Sequence, residues 1–139
     1  MPANRVYLQQ VDVQKILNAA NAHAEKNQWA VTISVMDDGG HLLGFIRRDG
    51  CPTISAYISQ EKARAAALGR RETKIFEEMI NHGRTAFLGA APNLYGVVEG
   101  GVNIVVDGIT IGSVGVSGAK PEQDAEVAKA GIAAWSNIK

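Results

Sequence analysis

With 139 residues, 46% of them hydrophobic, the chain is long enough to bury one core without disulfide or metal staples and too apolar to be disordered. Its 14 basic and 14 acidic side chains cancel, so nothing draws it to nucleic acid or to an anionic membrane, while self-association is permitted. No apolar run could span a bilayer, Met1 to Arg5 lead into no signal-peptide core, and Cys51 has no partner for an internal disulfide, which together predict a reducing cytoplasm.

No linker or low-complexity tract interrupts the chain, so a single domain over residues 1–139 is expected. Residues 10–28 carry Val13, Ile16, Leu17, Ala20 and Ala24 at helical spacing, the stripe of an amphipathic helix. Val31 to Asp37 alternate as a strand, Asp38-Gly39-Gly40 break it, and Leu42 to Arg48 resume extended character, which makes a hairpin with a glycine turn. Residues 53–69 predict a helix so rich in alanine (Ala56, Ala63, Ala65, Ala66, Ala67) that it can lie close to its neighbour. Thr73 reads as the N-cap of a third helix with the apolar pairs Ile75–Met79 and Phe76–Ile80, closed by Gly83 at C′ with His82 in its last turn.

Residues 84–99 show no period and predict an ordered loop. Val102 to Val106, Asp107-Gly108 and Ile109 to Val116 form a second hairpin, its last strand thinned by Gly112 and Gly115 ahead of Gly118. Pro121, followed by Glu122 and Asp124, opens a final helix that buries Val127, Ala128, Gly131, Ile132, Trp135 and Ile138. Adjacent strand pairs and helices in separate blocks point to an α+β sheet rather than repeated βαβ units.

Candidate chemistry has to be weighed against plainer roles. Gly112, Gly115 and Gly118 are spaced as neither a dinucleotide fingerprint nor a P-loop, and a glycine-kinked strand explains them. Ser59 and Lys62 read S-x-x-K, but the companion S-D-N and K-T-G elements are absent. Ser55, Ser59 and Lys62 nevertheless share a helix face, either a polar cavity wall or a solvated surface. His23, His41 and His82 have no metal-ligand spacing, and no C-x-x-C-H is present for covalent haem. Cys51 follows two arginines that would favour its thiolate, but a small buried thiol is the simpler reading. Asp37 and Asp38 are either paired carboxylates or turn residues bonded to backbone. Arg64, Arg70, Arg71, Lys62 and Lys74 form the densest basic patch, with glutamates interspersed as on a solvated face.

Taken in order, several segments resemble the GlcG/HbpS family, which includes the C-terminal domain of PduO-type proteins. They are Val35 to Leu42, Arg48-Asp49-Gly50, Lys62 to Ala66, Gly100-Gly101-Val102, Ile111 to Gly118, Gln123-Asp124 and Ala130-Gly131. The resemblance implies a profilin-like antiparallel sheet flanked by helices, a homo-oligomer, and haem binding or degradation in some members. Other members are encoded with glycolate, diol or glycerol metabolism. It also implies that Thr73 stands where a threonine coordinates iron, with Arg70, Arg71 or Lys74 available to haem propionates. Because Met1 to Arg5 lead into no signal-peptide core, the role of an extracellular haem sensor is not expected.

The expected function is therefore a small-ligand-binding module for which haem is a candidate cofactor. Lys62 would pair with an anionic group, Arg48 or Asp49 would organise the turn, and Gly115 would allow close approach. Two alternatives stand beside it: an enzyme using Lys62, Asp37 or Asp124 as acid–base groups, and an accessory subunit docking through the alanine-rich helix or the hairpins.

Overall fold

A computed structural model describes residues 2–138, with side chains as far as residue 136. Helix α1 (Gln10–Lys26) leads into β1 (Thr32–Asp37) and β2 (Leu42–Arg47), then α2 (Ile54–Gly69) and α3 (Thr73–Asn81). A 3-10 turn over Thr85–Gly89 follows, then β3 (Gly101–Val106), β4 (Ile109–Ser117) and α4 (Pro121–Ile138). The strands form one antiparallel sheet in the order β2-β1-β4-β3, an α+β fold with helices on both faces.

The two faces of the sheet differ in kind. Side chains alternate along a strand, so Ile33, Val35, Val102, Ile104, Val114 and Val116 point one way, into the main core under α1 and α4. All five stripe residues of α1 are buried there. On α4, Val127, Ala128, Gly131 and Trp135 are buried and Ile132 partly so, as the periodicity predicts, while Ile138 lies outside the described side chains. Gly131 sets the helix spacing, since an added Cβ would stand 2.8 Å from the Ile16 carbonyl oxygen. Trp135 Nε1 donates to Asp12 Oδ1 at 2.9 Å and ties the end of α4 to the start of α1. Facing the other way are Thr32, Ser34, Ser113, Gly115 and Ser117, the small and polar bed on which α2 rests.

Both hairpin turns follow from their residues. Asp107 and Gly108 take φ of +51° and +79°, the left-handed pair that a two-residue turn between twisted strands requires. In the first hairpin only Gly40 is left-handed (φ +79°), and Asp37 accepts from the backbone N–H groups of Gly39 (2.9 Å) and His41 (3.0 Å). Asp37 is thus a turn residue bonded to backbone. Helix α3 ends as predicted, with Gly83 at φ +105° donating to the Ile80 carbonyl and Arg84 to that of Met79.

Two expectations need correction. Glu72, with extended backbone, is the N-cap of α3, and Thr73 is its first helical residue, because the Thr73 hydroxyl is engaged across the fold instead of along the helix. The stretch 84–99, expected to be loop throughout, contains the 3-10 turn, which stacks Phe87 on Phe76 with ring centroids 5.2 Å apart. Leu94 and Val97 join Phe76 and Ala65 in a second, smaller core.

Candidate functional site

Helix α2 and β4 approach so closely because alanines meet glycines. A Cβ on Gly115 would fall 2.1 Å from the Ser59 carbonyl oxygen, and one on Gly101 would fall 2.3 Å from that of Lys62. The polar side chains trapped in this seam satisfy one another. Ser59 Oγ donates to the Gly115 carbonyl at 2.8 Å and accepts from Ser34 Oγ at 2.8 Å. Lys62 reaches along the seam to the Val116 carbonyl (2.9 Å) and to Asp124 Oδ2 (3.1 Å). The side chains of the pair are 4% and 3% exposed. Asp124 also accepts from the Ala119 N–H at 2.9 Å, holding the start of α4. Burial pushes its carboxyl above the usual range in spite of the lysine.

This arrangement corrects several expectations. Lys62, expected to pair with a ligand's anion, instead gives its ammonium to Asp124 and to the Val116 carbonyl inside the fold. The face bearing Ser55, Ser59 and Lys62 is neither a cavity wall nor a solvated surface, since all three are buried against the sheet. Gly115 does permit a close approach, but the approach is that of α2 itself. Thr73 is fully buried, its hydroxyl donating to the Val98 carbonyl (2.6 Å) and accepting from the Gly101 N–H (2.8 Å). An iron at that oxygen would have to break these bonds.

Arg48 and Asp49 lie at the far edge of the sheet, beyond β1. Arg48 binds α1 to the turn, donating to Trp29 O (3.1 Å) and Asn21 Oδ1 (2.6 Å) and pairing with Glu25. Asp49 is exposed on the rim of a shallow polar hollow beside it. Cys51 is buried with its Sγ 3.3 Å from Thr32 Oγ1, the small buried thiol of the simpler reading. Of the residues expected to share one site, Lys62, Thr73 and Gly115 do meet along the seam of α2, with Gly101 between Lys62 and Thr73, while Arg48 and Asp49 lie apart at the sheet edge.

What the fold does bring together is a groove across the C-terminal half of α2. One part is an apolar slot of about 330 Å³ walled by Leu68, Phe76, Phe87, Pro92 and Leu94. Arg71 stands at this slot with its guanidinium 5.4 Å from the Phe76 ring centroid and its Nε bonded to Gly69 O at 2.9 Å. Leu68 also lines the adjoining hollow of about 660 Å³, whose walls include Gly40, His41, Arg64 and Asn93. Arg64 pairs with Glu61 and donates to the Gly40 carbonyl at 3.2 Å, and His41 Nδ1 meets the Asp37 carboxylate. An aromatic slot with a cation at its edge suits a flat apolar body carrying an anionic group. Of these residues only Arg71 belonged to the expected site. The one sequence signal for the rest was the aperiodic stretch 84–99, with Phe87, Pro92 and Leu94 where a mere connection would be polar.

Among the described residues no three His, Cys, Asp or Glu side chains are grouped to hold a metal ion, and no helix is long and apolar enough to cross a membrane. Residues 8–133 match the family model described as haem degrading protein HbpS-like. The chain belongs to the HbpS-like family. This HbpS-like chain is 59% identical over 113 residues to protein GlcG of Escherichia coli (strain K12), covering 81% of this chain and 83% of that protein. Its fold is similar to that of Klebsiella pneumoniae protein ORFY, with a TM-score of 0.91 at 25% identity over 100% of this chain and 98% of the other. It is similar also to a protein solved as a PduOC:heme complex, with a TM-score of 0.86 at 27% identity, covering 93% of this chain and 95% of that one. The expected family and its antiparallel sheet flanked by helices are thus both found.

Proposed function

We propose that this HbpS-like chain is a cytoplasmic, homo-oligomeric module that binds a small amphipathic ligand, with haem as that ligand, in the service of a metabolic operon of the glycolate, diol or glycerol type. The observation that carries the reading is the apolar slot with Arg71 at its edge. Phe76, Phe87, Pro92 and Leu94 offer the flat, water-excluding contact that a porphyrin face needs, and Arg71 offers a guanidinium to a propionate. The family description and the haem complex of the PduOC relative support the same ligand. Bound haem would supply a redox-active iron; the chain's part is to bind the macrocycle, orient it and shield one face from water.

The homo-oligomer is supported by β2, an edge strand whose Leu42, Leu43 and Phe45 are 47%, 42% and 38% exposed. Titration of the purified protein with haemin tests the function. A saturable Soret shift is expected, weakened by Phe87→Ala and by Arg71→Ala. No saturable shift, or one that neither variant alters, would remove the proposed site.

A further inference from the structure

The hollow beside the apolar slot is lined by an imidazole, His41, that one ring nitrogen ties to a carboxylate. His41 Nδ1 lies 3.1 and 3.2 Å from the two oxygens of Asp37. Asp37 is itself held by the backbone N–H groups of Gly39 and His41. A carboxylate so placed accepts the imidazole proton when that proton sits on Nδ1. The lone pair on Nε2 is then left for another atom, in the carboxylate–histidine arrangement that orients metal-bound imidazoles.

The surroundings leave that nitrogen accessible. The His41 side chain is 79% exposed and folds over Gly39, where an added Cβ would stand 2.9 Å from its Cε1. Leu42 and Leu68, 47% and 44% exposed, and the cationic Arg64 line the same hollow, and Leu68 continues into the slot of Phe76 and Phe87. The other histidines lack this setting. His23 spends its Nε2 on Glu126 at 2.7 Å, and His82, bonded to the Glu78 carbonyl, lines neither the slot nor the hollow. Thr73, whose hydroxyl already donates and accepts, offers less.

We infer that His41 is the protein's ligand to haem iron through Nε2, with Asp37 as its positioning residue and Arg64 as a cation for an anionic edge of the macrocycle. The inference rests on the haem reading above. Its test is the ferric protein–haem complex followed by absorption and EPR in the parent protein, His41→Ala and Asp37→Asn. The parent is expected to show a nitrogen-ligated iron, and His41→Ala to lose that signature and regain it with added imidazole. Asp37→Asn should keep the signature but weaken haem affinity by about 10- to 100-fold. The exposed ring makes a folding failure of His41→Ala easy to separate by circular dichroism. A parent that binds haem with a spectrum unchanged in His41→Ala would overturn this assignment and leave the binding function standing. So would a loss that imidazole does not restore. A parent that binds no haem would overturn both.

Discussion

Replacing Lys62 by Met keeps most of the side chain's apolar stem and removes its charge, so what remains is Asp124, 2% exposed, with a carboxylate that has lost its cation. The Ala119 N–H still donates to it, but the ammonium 3.1 Å away is gone. Removing one partner of a buried pair costs about 3–5 kcal/mol, because the other charge stays desolvated. Asp124→Leu strands the ammonium in the same way, with only the Val116 carbonyl to receive it, and should cost a similar amount. The double variant Lys62→Met/Asp124→Leu leaves no buried charge and should lie within roughly 2 kcal/mol of the parent, the Ala119 bond being its main loss. The singles then sum to about 6–10 kcal/mol, and the double-mutant cycle should return a coupling of roughly 4 kcal/mol or more.

Urea unfolding of all four proteins measures these values, with an unchanged slope showing that the denatured states are comparable. Acid adds an internal control. The folded-state pKa of Asp124 is raised, so this carboxyl's contribution is fully present below its unfolded value near 3.8 and is lost as pH rises through the folded value. Lys62→Met should accordingly recover part of its deficit as pH falls toward 4, whereas Asp124→Leu should not. Singles that each cost under about 1 kcal/mol, or a double that equals their sum, would refute the reasoning.

Gly115→Ala should destabilise by roughly 2 kcal/mol or more, since its Cβ would stand 2.1 Å from the Ser59 carbonyl oxygen and α2 would have to lift from the sheet; thermal unfolding and near-UV circular dichroism would report both effects. Asp37→Asn should change the acid limb of stability in the opposite sense to Asp124. Its lowered folded pKa means a contribution present above about 3.8 and lost as pH falls through the lower folded value, so the variant's pH–stability curve should be flatter there.

The elements were legible in the residues themselves where the cause is local. Asp107-Gly108 makes its turn because those two positions must take positive φ, and Gly83 ends α3 for the same reason. The stripe from Val13 to Ala24 is buried as its spacing requires. Thr73 shows where local reasoning stops: a hydroxyl at a helix start suggests a cap, but Val98 and Gly101, far along the chain, claim it first. Lys62 is similar. A lysine on an alanine-rich helix reads as available for a ligand until Asp124 arrives from α4 to neutralise it. Gly115 reads as room for a ligand, and the room is filled by the backbone of α2.

By itself the sequence determined the α+β order of elements, the two turns, the buried stripes and the family, because each depends on residues within a few positions of one another or on motifs kept in order. Only the tertiary structure decided which side chains meet. Lys62 meets Asp124, Phe76 meets Phe87, and Leu68 stands between the aromatic slot and the hollow of His41. These contacts join segments that only the packing of α2 across the sheet and the return of the 85–99 stretch bring into reach, and that packing is where the groove takes its shape.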